Sequence, residues 1–365
     1  MKMDKLIKAR TEIEDIDKEM AELFVKRMAS VKLVSEYKNE HGLPIYDPQR
    51  EDALIAKNAS RVEDDVLRSY YIEFLRDTMK VSRQYQEQLA SGRRVAFAGV
   101  PGAFASIAAG RIFDKSVQVA YPDFKSAYNA VVNGECDCAV LPIENSTTGE
   151  VGQVLDMMFS GPLYVSGVYN LSINQNLMAI PGTKLSDIKK VISHPQALSQ
   201  CAPYIRDHGF EQTEYANTAM AAQFVKAQND HTLAAIASDE TARLYGLEII
   251  EKNINEASQN TTRFAVLTRT LANDGRSDDK HSILMFTVRN EAGSLAKAIN
   301  IIGLYGYNLR CLRSRPMKEL MWQYYFYAEA EGDLANENGK MMMVALANCC
   351  DKLRMFGSFK YPADL

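Results

Sequence analysis

The chain is poor in the residues that carry metal or disulfide chemistry. Cys136 and Cys138 alternate with Asp137, Cys349 and Cys350 are adjacent, and none of the six cysteines has zinc-ligand spacing. The five histidines are scattered, so no metal is expected, and the thiols should be reduced and mostly buried. No apolar run approaches the roughly 18 residues of a membrane span. The first residues, "MKMDKLIKARTEIEDID", are charged throughout, which argues against a signal peptide and for a cytoplasmic protein. Positive charge is not in excess: 42 Lys and Arg stand against 46 Asp and Glu, which disfavours nucleic acid as a partner. A site for an anion must therefore be locally basic. What remains, over 365 residues with 47% hydrophobic content, fits a soluble globular protein of two or three domains.

Residues 4–39 contain no Gly or Pro and read as one long helix. Leu6, Ile13, Met20, Arg27 and Val34 lie on one seven-residue repeat, and Ala9, Ile16 and Leu23 on another. "HGLPIYDP" breaks the helix at 41–48, a short helix follows, and residues 62–90 make a third. At roughly 54 Å, the first helix is too long for two companions to cover, which predicts an intertwined homodimer or a dimer of dimers. Polar groups interrupt the apolar seams. Arg27 and Arg10 sit on them, Lys38 follows Val31 and Val34 at helical spacing, and Ser82 and Gln86 share a face with Leu75, Met79 and Leu89. Buried cations need anions. Residues 1–91 hold 16 Lys and Arg against 18 Asp and Glu, so a local pocket for a small polyanion fits better than a basic surface.

From residue 92 to about 271, apolar runs such as "VAFAG", "CDCAVLPI", "KKVIS", "LAAIAS" and "RFAVLT" alternate with helical stretches, as in an α/β domain. Several runs end in polar clusters: "VPGAFAS", "ENSTTG", "HPQALSQC" and, further on, "QNTTRF". Strand ends followed by helix starts expose backbone N–H groups suited to carboxylates, and the clusters together suggest one cleft between two lobes. "ANDGRSDDK" at 272–280 reads as a linker, and residues 281–365 follow the strand–helix–strand–strand–helix–strand order of a ferredoxin-like α+β module.

These residues also carry resemblances. Arg10, Arg27, Lys38, "DPQRE" (47–51) and "SRQYQ" (82–86) resemble the all-helical chorismate mutases. That implies a substrate, chorismate, which rearranges to prephenate without an acid, base or nucleophile, by conformational restraint and donors at its ether oxygen. By resemblance, Arg10 of a partner chain, Arg27, Arg50 and Ser82 hold carboxylates. Lys38 and Gln86 face the ether oxygen, and Asp47 and Glu51 take the hydroxyl. "GVPGAFAS", "PIENSTTGEV", "SHPQALSQC", "LYGL" and "NTTRF" resemble prephenate dehydratase, with Ala105 where that family usually has serine. The resemblance implies a two-lobed fold similar to periplasmic binding proteins, with prephenate in the cleft. It also implies a reaction driven by aromatisation that needs no metal, flavin or nicotinamide. Thr262 would donate toward the leaving oxygen, Asn145, Ser193, Gln200 and Arg263 would bind and orient, and Glu144 would support them.

"NEAGSLAKAINII" and "GYNLRCLRSRP" resemble an ACT regulatory domain, with Arg313-Ser314-Arg315-Pro316 in place of the usual Glu-Ser-Arg-Pro. This implies that L-phenylalanine binds around Gly293, Ser294, Leu295, Asn308 and Leu309 and inhibits by feedback. The whole is then expected to be a bifunctional chorismate mutase/prephenate dehydratase of phenylalanine biosynthesis, with domains at 1–91, 92–271 and 281–365. Two rivals remain: a dehydratase whose helical segment only dimerises, and a non-catalytic aromatic-ligand sensor.

Overall fold

A computed structural model describes residues 2–256, 260–271, 280–317, 323–360 and 363–365, with the side chains of residues 2–4 excepted. Most of the expected linker at 272–280, and Gln259 of "QNTTRF", lie outside the described residues. The chain divides into two compact units, Met1–Arg94 and Val95–Leu365.

The first unit is helical: Lys2–Glu40, Pro48–Ala59 and Asp65–Ser91. The helix starts are set by side chains. Asp47 Oδ1 accepts from the Arg50 N–H and Pro48 takes the first helical position, while Asp64 accepts from the N–H groups of Val66 and Leu67. Leu75, Met79, Ser82 and Gln86 form the buried stripe of the third helix, which packs on the first. The first helix is left uncovered over much of its length: Ile13 is 56% exposed and Leu23 62%. That is the apolar repeat read from the sequence, left exposed among the described residues.

Among the described residues, the second unit contains three sheets. In the first, Cys138–Asn145 lies between Arg93–Ala98, to which it is parallel, and Thr261–Thr268, to which it is antiparallel. Tyr164–Ser172 pairs with the other edge of Thr261–Thr268. Both faces of this sheet are covered, with Val95, Phe97 and Val140 in one apolar cluster and Ala96, Leu141 and Ile143 in another. Burial on both faces explains why these strands read as continuous apolar runs. The second sheet runs Glu248–Glu251, Asn176–Ala179, Leu233–Ala237, Lys190–Ser193, Glu211–Glu214. Among the described residues, the chain passes between these two lobes at 173–175 and again after Glu251, where residues 252–256 lead out of the second sheet.

The third sheet is antiparallel, in the order Leu309–Pro316, Tyr324–Glu331, Lys280–Thr287, Lys352–Lys360, with helices Ser294–Leu304 and Glu337–Ala347. The expected strand–helix–strand–strand–helix–strand order is present. The module packs directly on the α/β segment, within the same compact unit. Ile283, Met285, Tyr325, Tyr327, Phe356 and Phe359 share one apolar cluster with Leu141, Leu155, Val165 and Val168. Gly357 lies so close to the Val165 carbonyl that a Cβ would collide with it. No described helix is long and apolar enough to cross a membrane. Cys136, Cys138 and Cys201 are buried, and Cys311, Cys349 and Cys350 are half-buried.

Candidate active sites

In the helical unit, a cavity of about 230 Å³ collects Arg27, Lys38, Asp47, Arg50, Glu51, Ser82 and Gln86. The third helix contributes its buried stripe, and the first contributes cations spaced along one face. Arg27 donates to the Ser82 hydroxyl, which in turn donates to the Thr78 carbonyl at 2.6 Å. Burial pushes the Arg27 guanidinium below its ordinary pKa. Lys38 Nζ donates to the Ile45 carbonyl at 2.6 Å, which fixes its reach across the break between helices. Gln86 Nε2 donates to the Ser82 carbonyl at 3.3 Å, while Gln86 Oε1 is buried with no hydrogen-bond partner among the described residues.

Arg10 is not in this cavity. It lies 17 positions before Arg27 on the same helix, about 26 Å away along the axis. Arg83 is in the cavity although the sequence reading did not select it. It pairs with Glu51 and packs over the Tyr46 ring with 4.9 Å to the centroid. Four cations (Arg27, Lys38, Arg50 and Arg83) face two carboxylates here, so the pocket is locally basic inside an acidic segment.

In the second unit, a cavity of about 150 Å³ between the lobes is lined by Asn145, Gln175, His194, Gln200, Thr262 and their neighbours. Its centre is a cross-strand pair, Thr262 opposite Asn145. The "ENSTT" run folds back on the amide: Asn145 Oδ1 accepts from the Thr147 and Thr148 N–H groups at 3.0 and 3.1 Å and from both threonine hydroxyls. This fixes which way the amide faces. Asn145 Nδ2 then donates to Thr262 Oγ1 and to Asn260 Oδ1, each at 2.9 Å. Because Thr262 Oγ1 accepts that bond, its own hydrogen must point elsewhere, and the residue lines the cleft. Gln200 and Gln196 of the other lobe donate to the hydroxyls of Thr147 and Thr148 at 3.2 and 3.3 Å, joining the lobes at the mouth.

Three expected residues are placed otherwise. Ser193 is fully buried and donates to the Ile236 carbonyl at 2.6 Å, tying neighbouring strands together behind the cleft. Glu144 and Arg263 form the next cross-strand pair, on the opposite face of the sheet. The reason is a bulge: Arg263 pairs with Glu144 but Phe264 with Pro142, so Ile143 is skipped and the alternation of faces reverses there. Simple alternation from Val140 would aim Glu144 at the cleft, whereas the bulge aims Asn145 instead. Arg263 instead bonds Glu144 at 3.2 Å and both oxygens of Glu329 at 2.9 and 3.0 Å. Arg313 also pairs with Glu144, and Arg315 with Glu150 and Asp156. Both arginines of "RSRP" thus grip the α/β sheet.

Gln175, His194, Gln196, Asn217 and Thr218 line the cleft without having been selected. His194 and Gln196 lay inside a quoted cluster, and Asn217 is a helix cap whose side chain accepts from the Met220 N–H. His194 is half-buried, and burial holds its imidazole below the ordinary pKa. Ala105 is buried in the core beneath the first turn. The expected effector residues lie on two turns of the third-sheet module. Gly293 precedes a helix at φ 85°, and Asn308 Nδ2 donates to Glu331 at 3.0 Å just before the strand that begins at Leu309.

Residues 9–87 match the family model for chorismate mutase type II, and residues 95–271 match that for prephenate dehydratase. A bifunctional chorismate mutase/prephenate dehydratase of Buchnera aphidicola is 29% identical over 90% of this chain and 89% of its own. An arogenate dehydratase/prephenate dehydratase of Arabidopsis thaliana is 32% identical over 78% of this chain and 77% of its own. The crystal structure of a prephenate dehydratase from Arthrobacter aurescens, solved with L-Phe, is 25% identical, with a TM-score of 0.68 over 73% of this chain and 90% of its own. A basic pocket in the helical unit and an amide–hydroxyl pair in the interlobe cleft thus fall within the two matched families, and the chain belongs to the bifunctional chorismate mutases/prephenate dehydratases.

Proposed function

We propose the following roles for the residues of this chorismate mutase and prephenate dehydratase. In the helical pocket, Arg27, Arg50 and Ser82 hold the carboxylates of chorismate, with Arg10 supplied by a second copy. The uncovered apolar repeat of the first helix is the surface on which that copy packs. Lys38 and Gln86 donate to the ether oxygen as its bond breaks and charge gathers on it, and Asp47 and Glu51 take the hydroxyl. The buried, unpartnered Gln86 oxygen supports this reading, because a buried carbonyl is seldom left without a donor unless a ligand or water meets it.

In the cleft, Thr262 donates to the hydroxyl oxygen of prephenate. The ring carboxylate leaves as CO₂, its bonding electrons enter the ring, and the C–O bond breaks. The departing hydroxide takes a proton to leave as water, and phenylpyruvate remains. Thr262 is a weak acid, so it contributes a directed hydrogen bond that strengthens with the negative charge. The observation that carries this reading is the Asn145 amide, locked by four donors so that its NH₂ orients the Thr262 hydroxyl. Gln200 binds a carboxylate, and Asn145 and Ser193 act as positioning residues.

The third-sheet module is a ferredoxin-like ACT domain that binds L-phenylalanine near Gly293 to Leu295 and Asn308 to Leu309. Its path to the cleft is the ion chain Glu329–Arg263–Glu144–Arg313, because Arg263 and Glu144 are the immediate chain neighbours of Thr262 and Asn145. The enzyme works in the cytoplasm as a dimer or a dimer of dimers. Chorismate turnover with both products followed, with and without phenylalanine, tests the whole reading. Phenylpyruvate formation that slows with phenylalanine supports it. Prephenate turnover without chorismate turnover would instead favour a helical unit used only for pairing.

A further inference from the structure

Gln175 sits on the first crossover between the lobes. Its N–H donates to Asn255 Oδ1 at 3.0 Å, and its carbonyl accepts from the Ile254 N–H at 2.9 Å, so the second crossover pins it from both sides. It lines the cleft with Thr262 yet is only 2% exposed. Its Nε2 donates to Gln200 Oε1 at 3.4 Å, and its Oε1 is buried with no hydrogen-bond partner among the described residues. Backbone bonds to the second crossover hold Gln175 in place, and no donor among the described residues meets this acceptor.

Building on the dehydratase reading above, we propose that Gln175 accepts the hydrogen bond of the prephenate hydroxyl and makes that hydroxyl a specificity element of the site. Prephenate carries two carboxylates, a ketone and one hydroxyl. All but the hydroxyl are acceptors only, so an acceptor in the cleft has one possible partner on the substrate. The hydroxyl then lies between a donor, Thr262, and an acceptor, Gln175. Its hydrogen is directed to one and a lone pair to the other.

The two contacts change in opposite senses along the reaction. As the C–O bond breaks, the leaving oxygen becomes a better acceptor and a poorer donor. The Thr262 bond strengthens in the transition state, and the Gln175 bond is strongest in the ground state. Gln175 therefore acts on KM and Thr262 on kcat.

The experiment uses the full chain and two competitive inhibitors that differ by one hydroxyl at the corresponding ring carbon, 4-hydroxyphenylpyruvate and phenylpyruvate. The wild type should prefer the hydroxylated acid by about tenfold or more, because a site built around a substrate hydroxyl leaves its acceptor unpaired when the hydroxyl is missing. Gln175→Met, similar in size but without the carbonyl, should lose the preference. Its KM for prephenate should rise about tenfold, with kcat raised or unchanged but not lowered, because the lost bond is weaker in the transition state. A wild type with no preference between the inhibitors overturns the proposal even if the variant does not fold. So does a folded variant that keeps the preference, or that loses kcat at constant KM. A wild type that does not turn over prephenate would overturn the dehydratase reading itself.

Discussion

Asn145→Asp replaces one atom in the cleft and reverses the hydrogen-bond sense of half the side chain. The half that accepts from Thr147 and Thr148 is kept and gains charge, so the 146–149 turn should persist. The other half now presents a carboxylate oxygen to Thr262 Oγ1 and Asn260 Oδ1, where an NH₂ had donated to both at 2.9 Å. Thr262 is then drawn to donate to the carboxylate and turns its hydrogen away from the substrate. Loss of one preorganised donor costs about 10²–10³ in kcat, or ~3–4 kcal/mol. The acceptor–acceptor contact with Asn260 should lower stability by about 1–3 kcal/mol. Protonating the new carboxyl restores an O–H donor, so dehydratase kcat should climb toward the wild-type value as pH falls. The assay is a pH–rate profile for phenylpyruvate formation by wild type, Asn145→Asp, Thr262→Ala and the double variant. The double variant should be within about threefold of the worse single one, because both changes remove the same donor. Equal kcat for wild type and Asn145→Asp at neutral pH, or additive losses in the double variant, would refute the orientation argument.

Gln86→Glu should reduce mutase activity at pH 7 by up to about 500-fold, the rarity of the protonated form of a glutamate of pKa ~4.3, and restore tenfold per pH unit toward acid; an unchanged pH profile would dismiss Gln86 as the ether-oxygen donor. Burial alone would raise the Glu329 pKa, but the Arg263 bonds and the contact with His281 outweigh it and hold the group below its ordinary value. Its stabilisation is therefore full above about pH 4.3 and lost as pH falls through the lower folded value, so denaturant titrations of wild type and Glu329→Gln should converge in that acid range. Glu329→Ala leaves Arg263 buried with half its partners and should cost about 3–5 kcal/mol near neutral pH, read from the same titrations. At Gly293 a side chain would meet open space, so Gly293→Val acts through the strain of φ 85°, about 1–2 kcal/mol, rather than by crowding. It should weaken phenylalanine binding by about tenfold or more in calorimetry, within the usual range of such couplings, and leave both turnovers unchanged.

The long helix was legible because nothing in residues 4–39 interrupts it, and the strands because they are apolar on both faces. Thr262 and Asn145 were legible as a hydroxyl and an amide ending such strands. Glu144 and Arg263 were misdirected by their neighbours: only the register of two strands more than a hundred residues apart reveals the skipped Ile143 and the reversed face. The partner of Arg313 was equally hidden, since Glu144 lies 169 positions away. Gln175 carries no local mark at all. What distinguishes it is an unpaired atom, which exists only once the two crossovers meet.

The apolar cluster that joins Phe356 and Phe359 to Val165 and Leu141 makes the third-sheet module part of the wall of the first sheet. Cutting the chain near residue 271 would lay that wall open to water, and the shortened protein should precipitate rather than lose its feedback. Residues 95–365 should melt as one cooperative block, with the helical unit as a second, concentration-dependent transition. If the module senses phenylalanine as proposed, a deregulated enzyme is reached by point substitution on its turns, and grafting another family member's module would require recutting the seam around Gly357.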